Sequence, residues 1–342
     1  MPTPTDNAKR GIDVGPVKRG PRYYLFRLFL IAWGILFLLA ASSALTQLSL
    51  LTFLAAGLLF YFGSALRNIY RSLNPVRTPI LKDPLTQLGV NFENVVFPSR
   101  DGWKLSGWNI PPKNSATVIL THGMGGNRLD SMHIASVLAE RGFGLLMYDM
   151  RAHGRSTGNL GTRGWLEVND LNGAADYLLT RREVDKNRIG AMGFSLGGQI
   201  TIRAVAENNS IKAIIAEDPY PATLTDHPIS AGFSLRKLIN YPALWMDYRL
   251  LSASSGVSPP MGVLESIGKI APRPILLISS GVGLDQELIR NYFDSAGDPK
   301  ELWEVPETGH GWIYNDRPEA YQDKVCGFFK HWLVDVGEIE YT

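Results

Sequence analysis

Between Arg27 and Arg67 the chain runs for 39 residues, Leu28 to Leu66, without a charge or a proline. A helix pair buried in a water-soluble protein would carry charges on its outer face, and none are present, so the stretch reads as membrane-embedded. As one helix it would extend about 58 Å, roughly twice the hydrocarbon thickness of a bilayer. A weak polar break at Ser42-Ser43 and Thr46-Gln47 divides it into two pieces, each close to spanning length. Two antiparallel transmembrane helices joined by a tight turn are therefore expected. The long basic region ahead of the stretch, and the second apolar piece directly behind the first, argue against a cleaved signal peptide.

Charge is distributed to match. Residues 1–83 hold ten Lys and Arg against three acids, leaving 24 against 29 for residues 84–342. Both flanks of the apolar stretch are basic, Lys9 to Arg27 on one side and Arg67 to Lys82 on the other. A hairpin puts both flanks on one face of the membrane, and the positive-inside rule makes that face cytoplasmic. The expectation is an integral protein of the plasma membrane, in contact with lipid through residues 28–66 and carrying its large C-terminal domain on the cytoplasmic side. The net charge of +2 argues against nucleic acid as the main partner, which would need a concentrated basic face. Cys326 is the single cysteine, so neither an intrachain disulfide nor a thiolate metal cluster can form.

Behind a basic arm (1–27), the apolar pair (28–66) and a linker (67–90), the remainder reads as one domain over 91–337. Asn94–Phe97 and Trp103–Ile110 flank Asp101-Gly102, a hairpin signal. Short apolar strands then alternate with helical spacing. Strands are expected at Thr117–Thr121, Gly144–Asp149, Arg188–Phe194, Ile211–Ala216, Pro274–Ser280 and Glu301–Val305. Helices are expected at Arg128–Glu140, Trp165–Leu179, Leu196–Glu207, Gln286–Ser295 and Pro318–Val334. That alternation means βαβ units and a mostly parallel sheet with helices on both faces. From Pro219 to about Ile270 no strand is evident, while prolines and aromatics abound; so long an interruption predicts a cap over the site.

Gly193-Phe194-Ser195-Leu196-Gly197 matches G-x-S-x-G, directly after an apolar strand and at the opening of a helix. That context is what a nucleophile elbow requires. Serine needs a base at neutral pH. Of six histidines, His310 alone falls in a loop between the last strand and the closing helix, on the sheet edge that carries the elbow. The orienting acid is expected at Asp285, with Asp218, Glu217 and Glu287 as alternatives. The turn His122-Gly123-Met124 after Thr117–Thr121 offers the Met124 backbone N–H as an oxyanion donor alongside that of Leu196; His122 itself reads as structural. In the cap region Tyr220, Phe233 and Trp245 are expected to contact substrate. No metal or organic cofactor is called for.

From about residue 90 to 335 the chain resembles the α/β-hydrolase superfamily, in its serine aminopeptidase-like, monoacylglycerol-lipase-like and dienelactone-hydrolase-like branch. The resemblance rests on His122-Gly123, on Asp149-Met150-Arg151-Ala152-His153-Gly154-Arg155-Ser156, on the elbow at Ser195 and on Gly309-His310-Gly311. It implies an α/β-hydrolase fold and the chain order Ser, Asp, His. It also implies that Asp149 and His153, within a D-x-R-G-H-G-x-S type segment, are structural. The chain departs from the pattern at Ala152, where glycine is usual, and after the strand at Pro274. There Ser280-Gly281 replaces the usual His-Gly, and the acid follows one residue later. The expected activity is hydrolysis of an ester or other acyl bond through an acyl-enzyme, on a small and lipid-like substrate. A peptidase or thioesterase with the same triad, or a non-catalytic membrane-bound scaffold, are the alternatives.

Overall fold

The computed structural model describes Ile35 and residues 47–227, 235–281 and 284–335, which fall into two compact units, Met1–Ser64 and Ala65–Thr342. In the first unit the described chain is the greater part of helix α1 (Gln47–Leu73). Leu51, Leu54, Leu58 and Leu59 on it are all exposed, and Leu51–Leu73 is long and apolar enough to cross a bilayer. It corresponds to the second of the two expected membrane helices; the first, apart from Ile35, lies outside the described residues.

In the second unit the elements follow in the order α2 (Pro84–Leu88), β1 (Glu93–Pro98), β2 (Lys104–Ile110), β3 (Thr117–Thr121), α3 (Met132–Glu140), β4 (Gly144–Tyr148), α4 (Val168–Thr180), β5 (Ile189–Phe194), α5 (Leu196–Glu207), β6 (Ala213–Glu217), α6 (Leu235–Ser255), α7 (Val263–Ile267), β7 (Ile275–Ser280), α8 (Leu284–Ser295), β8 (Lys300–Val305), α9 (Ile313–Asp316) and α10 (Pro318–Phe329). The eight strands form one sheet ordered β1-β2-β4-β3-β5-β6-β7-β8. β2 pairs antiparallel with both β1 and β4 at one edge, and β3 through β8 run parallel. Successive residues of a strand face opposite ways, and both faces of this sheet are covered. On β7, Ile275 and Leu277 join the core under α4, α5, α7 and α8. Leu276 and Ile278 join the core under α3 and α10. This is why the strands read as unbroken apolar runs rather than alternating ones.

The 67–90 segment, expected as a linker, is bonded to the domain at several points. α1 continues to Leu73, whose carbonyl accepts from Gly161 N–H at 3.0 Å. The Arg77 guanidinium then donates to the carbonyls of His153, Gly154, Ser156 and Gly158, and Asn127 Nδ2 donates to the Thr78 carbonyl. Within 219–270, the expected cap, the described residues hold a 3₁₀ turn (Leu224–Asp226), α6 and α7. The long helix α6 contains Pro242, a helix breaker in most interior positions, and this hid it from a reading by periodicity.

Candidate active site

The parallel strands deliver their C-terminal ends to one rim, and the chemistry collects there. Ser195 follows β5 at φ 54°, ψ −114°, a backbone region costly for any residue with a Cβ. The elbow holds because the surroundings fix it from both sides. Ser195 N–H donates to the Glu217 carbonyl at 2.8 Å, and Tyr220 N–H donates to the Ser195 carbonyl at 3.1 Å. The flanking glycines are required by space: a Cβ on Gly193 would stand 2.1 Å from the Gly197 carbonyl oxygen, and one on Gly197 would stand 2.2 Å from that of Thr121. Both obstacles are backbone and cannot swing aside. Gly193→Ala is therefore expected to cost about 3 kcal/mol of stability. Gly327→Ala, at an exposed position of α10 where a Cβ meets nothing within 4 Å, should gain up to about 1 kcal/mol. Urea unfolding of the two variants checks both signs.

The loop after β8 brings His310 to the same rim. Its ring lies 4.9 Å, centroid to centroid, from that of Phe194, the residue before the nucleophile. The same phenyl ring packs against Gly311 on this loop and Gly123 on the loop after β3. Phe194 thus joins the three loops on which the site depends. Nothing in the linear pattern signals that role beyond its place inside G-x-S-x-G.

Among the described residues the carboxylate beside His310 is Asp218, with Oδ2 3.5 Å from Nδ1, at the outer limit of hydrogen-bond reach. Such contacts often tighten only when substrate binds. Asp218 follows β6 at φ 44°, and its N–H donates to the Ile278 carbonyl at 2.9 Å, so the chain leans across the end of β7 toward β8. At that point Ser280 clamps the carboxylate, donating from its backbone N–H to Oδ1 at 2.7 Å and from its hydroxyl to Oδ2. Burial pushes the Asp218 carboxyl up from the usual range, while Ser280, His310 and the Gly311 N–H pull it back. Asp285, ranked first from the sequence, stands in the first turn of α8 and its side chain lies outside the described residues. Glu287 is farther along that helix. Asp218 was among the alternatives, and the one signal for it was its position immediately after a buried strand.

Glu217 is fully enclosed and accepts from the Tyr321 hydroxyl at 2.5 Å. Burial, aided by the charge of Asp218, pushes its carboxyl up to about 8, so it is neutral at pH 7 and unsuited to orient a base. The native state keeps this proton over a range where the unfolded chain, with an ordinary carboxyl near 4.5, has released it. Stability should therefore fall as pH rises from about 4.5 to about 8, by up to about 1.4 kcal/mol per unit. Glu217→Gln should flatten that slope in thermal unfolding followed across the interval.

On the other side of Ser195, Gly123 to Gly126 form a turn closed by the Gly126 N–H on the Gly123 carbonyl. Gly125 has φ +72° in the third position, where such turns favour glycine. Met124 occupies the second position, so its N–H is not used by the turn bond. Leu196 is the first residue of α5, and the N–H of a first helical residue has no partner within its own helix. His122 anchors the turn: its Nε2 accepts from Met150 N–H at 3.0 Å and its Nδ1 lies 2.8 Å from the Gly123 carbonyl. Burial lowers its imidazole to about 3, which keeps it neutral. Asp149 accepts from Arg128 and Arg155 in the interior, and His153 is buried with Nδ1 2.8 Å from the Arg151 carbonyl. Met124, Tyr220 and Trp312 are all exposed, each next to a residue of the rim. Trp245 is 53% exposed on α6, and Phe233 lies outside the described residues. Among the described residues no His, Cys, Asp and Glu cluster could hold a metal ion.

A strained serine elbow, a histidine loop after the last strand and a carboxylate between them, at the C-terminal rim of a mostly parallel eight-stranded sheet, define an α/β hydrolase of the serine-hydrolase type. The model of the serine aminopeptidase family, S33, matches residues 112–246. YfhR of Salmonella typhi is 35% identical over 258 residues, covering 70% of this chain and 81% of that protein, and the chain belongs with it in the α/β-hydrolase superfamily. The protein Rv2307c of Mycobacterium tuberculosis is 25% identical over 289 residues, covering 82% of this chain and 92% of its own length. Among solved structures, the esterase Pf2001 of Pyrococcus furiosus superposes with a TM-score of 0.63 at 27% identity, covering 77% of this chain and 98% of that one.

Proposed function

We propose that the protein is a membrane-anchored serine hydrolase that cleaves an ester bond through an acyl-enzyme, with Ser195 as nucleophile, His310 as general base and acid, and Asp218 as the orienting carboxylate. The observation that carries this reading is the contact of Asp218 with His310 Nδ1 beside the elbow. A carboxylate on Nδ1 fixes the tautomer whose Nε2 is free to take the serine proton. Ser195 attacks the acyl carbon and its proton passes to His310. The negative charge that develops on the carbonyl oxygen is met by the N–H groups of Met124 and Leu196, where one donor is worth about 3 kcal/mol of transition-state stabilisation. His310 then protonates the departing alcohol, and water, activated by the same imidazole, releases the acid.

The exposed apolar side chains of Met124, Tyr220 and Trp312 at the rim suit an acyl chain better than a charged substrate. An esterase among the structural relatives supports ester over amide, while the match to a serine aminopeptidase family makes peptide amides the competing substrates. The apolar segment Leu51–Leu73 supports attachment to a bilayer, and the basic residues that flank the apolar stretch support a cytoplasmic domain. The deciding experiment has two arms. Intact protein should react with a fluorophosphonate probe, and a set of esters of graded chain length, tested beside peptide amides, should show turnover of the esters. Failure to react with the probe would remove the enzyme reading; turnover of the amides alone would make it a peptidase.

A further inference from the structure

Strand β7 ends on two adjacent buried serines, Ser279 and Ser280, whose hydroxyls meet opposite surroundings. Neighbours on a strand point to opposite faces of the sheet. The Ser279 hydroxyl is enclosed with no hydrogen-bond partner among the described residues. The Ser280 hydroxyl donates to Asp218 Oδ2, and the Ser280 N–H donates to Oδ1 at 2.7 Å, so a single residue holds both oxygens of the carboxylate. Oδ2 is also the oxygen that stands 3.5 Å from His310 Nδ1. Serine and imidazole therefore address the same carboxylate atom.

Ser280 is placed to fix the base as well as the acid. It pairs in parallel register with Val305, the last residue of β8. The Val305 carbonyl accepts from both the N–H and the hydroxyl of Thr308, which roots the loop that carries His310. Asp218 follows β6 and His310 follows β8, and β7 lies between them. Ser280, on that middle strand, is bonded to the acid and in register with the root of the base. Among the described residues the other polar and titratable groups around the carboxylate are His310, the Gly311 N–H, and Glu217 with its partner Tyr321 of α10. Glu217 is protonated at pH 7, so only His310 can bring a positive charge. A buried carboxylate stays ionised where donors surround it, and Ser280 supplies two of them.

We infer that Ser280 is a positioning residue of the hydrolytic reaction: its hydroxyl holds Asp218 Oδ2 at the imidazole, shares the charge of that oxygen with it, and so sets the pH at which the pair becomes competent to take the serine proton. This rests on Asp218 as the orienting carboxylate. Without the hydroxyl the carboxylate charge falls more heavily on the imidazole, and the protonated form of the pair gains, whichever of the two groups holds the proton. Ser280→Ala should therefore move the acid limb of the kcat/KM profile up by about one pH unit, the order of a hydrogen bond to a charged group. At the parent's optimum kcat on the best ester should fall about tenfold with KM within about twofold. Ser279→Ala, the same loss of a buried hydroxyl one residue away, should keep the parent's limb and rate. Should Ser280→Ala not fold, Ser280→Cys, a weaker donor, carries the same upward shift. An unmoved limb in the folded variant, or an equal shift in Ser279→Ala, would overturn the inference. Asp218→Asn separates it from the reading it rests on. A large loss there with an unmoved limb in the Ser280 variant removes the inference alone, whereas parental activity in Asp218→Asn removes Asp218 from the triad and Ser280 with it.

Discussion

Replacing Ser195 with alanine should lower kcat on the best ester by on the order of 10⁶-fold and abolish labelling by a fluorophosphonate, while leaving the fold intact. The size of the effect follows from the loss of the only atom that can form the acyl-enzyme; removal of the serine alone from such a triad costs nearly as much as removal of the whole constellation. The stability arm follows from the local geometry. The Ser195 side chain makes no capping bond to α5, and the strained backbone at φ 54° is imposed by Glu217, Tyr220 and the flanking glycines, none of which the substitution touches. The thermal midpoint of Ser195→Ala should therefore match that of the parent. Retained labelling in a folded Ser195→Ala protein would mean that another residue is the nucleophile.

Asp218→Asn should reduce kcat by about 10⁴-fold, because an amide at Nδ1 can donate as well as accept and so permits the wrong imidazole tautomer. Asp285→Asn and Glu287→Gln should stay within severalfold of the parent under the same assay. The three variants together decide which carboxylate serves His310. A large loss in Asp285→Asn with a small one in Asp218→Asn would restore the acid that sequence alone favoured. The asparagine preserves the shape that Ser280 clamps, so the effect should fall on kcat rather than on folding; circular dichroism and a thermal scan verify that Asp218→Asn is native before its rate is read.

The choice between those two acids also illustrates what a linear reading can reach. Strands and helices of the catalytic domain were legible because each is a local pattern: apolar runs such as Thr117–Thr121 and Pro274–Ser280 alternate with amphipathic stretches such as Pro318–Val334. Their observed boundaries lie within two residues of those expected for the strands and within five for the helices. The elbow was legible for the same reason, since a Gly-Phe-Ser-Leu-Gly string at a strand-to-helix junction is set by short-range sterics. His310 followed from the rule that loops after parallel strands share one rim. The cap helix was not legible, because Pro242 interrupts its pattern and because its buried residues, Tyr248 and Leu251, face Ile69 and Leu73, some 180 positions away.

What the sequence determined by itself, then, was an apolar segment able to enter a bilayer, a parallel sheet flanked by helices and a serine at a forced turn. Each of these depends on residues close together in the chain, where hydrophobic period and backbone sterics suffice. Only the tertiary structure showed that Asp218 stands beside the imidazole and that the last turns of α1 pack on the cap. On topology alone an acid after β7, the immediate neighbour of β8, is nearer to His310 than one after β6. Asp218 reaches across because its backbone turns at positive φ and Ser280, at the end of β7, is small enough to let it pass and polar enough to hold it. That is a property of three strand ends meeting in space, and no local pattern encodes it.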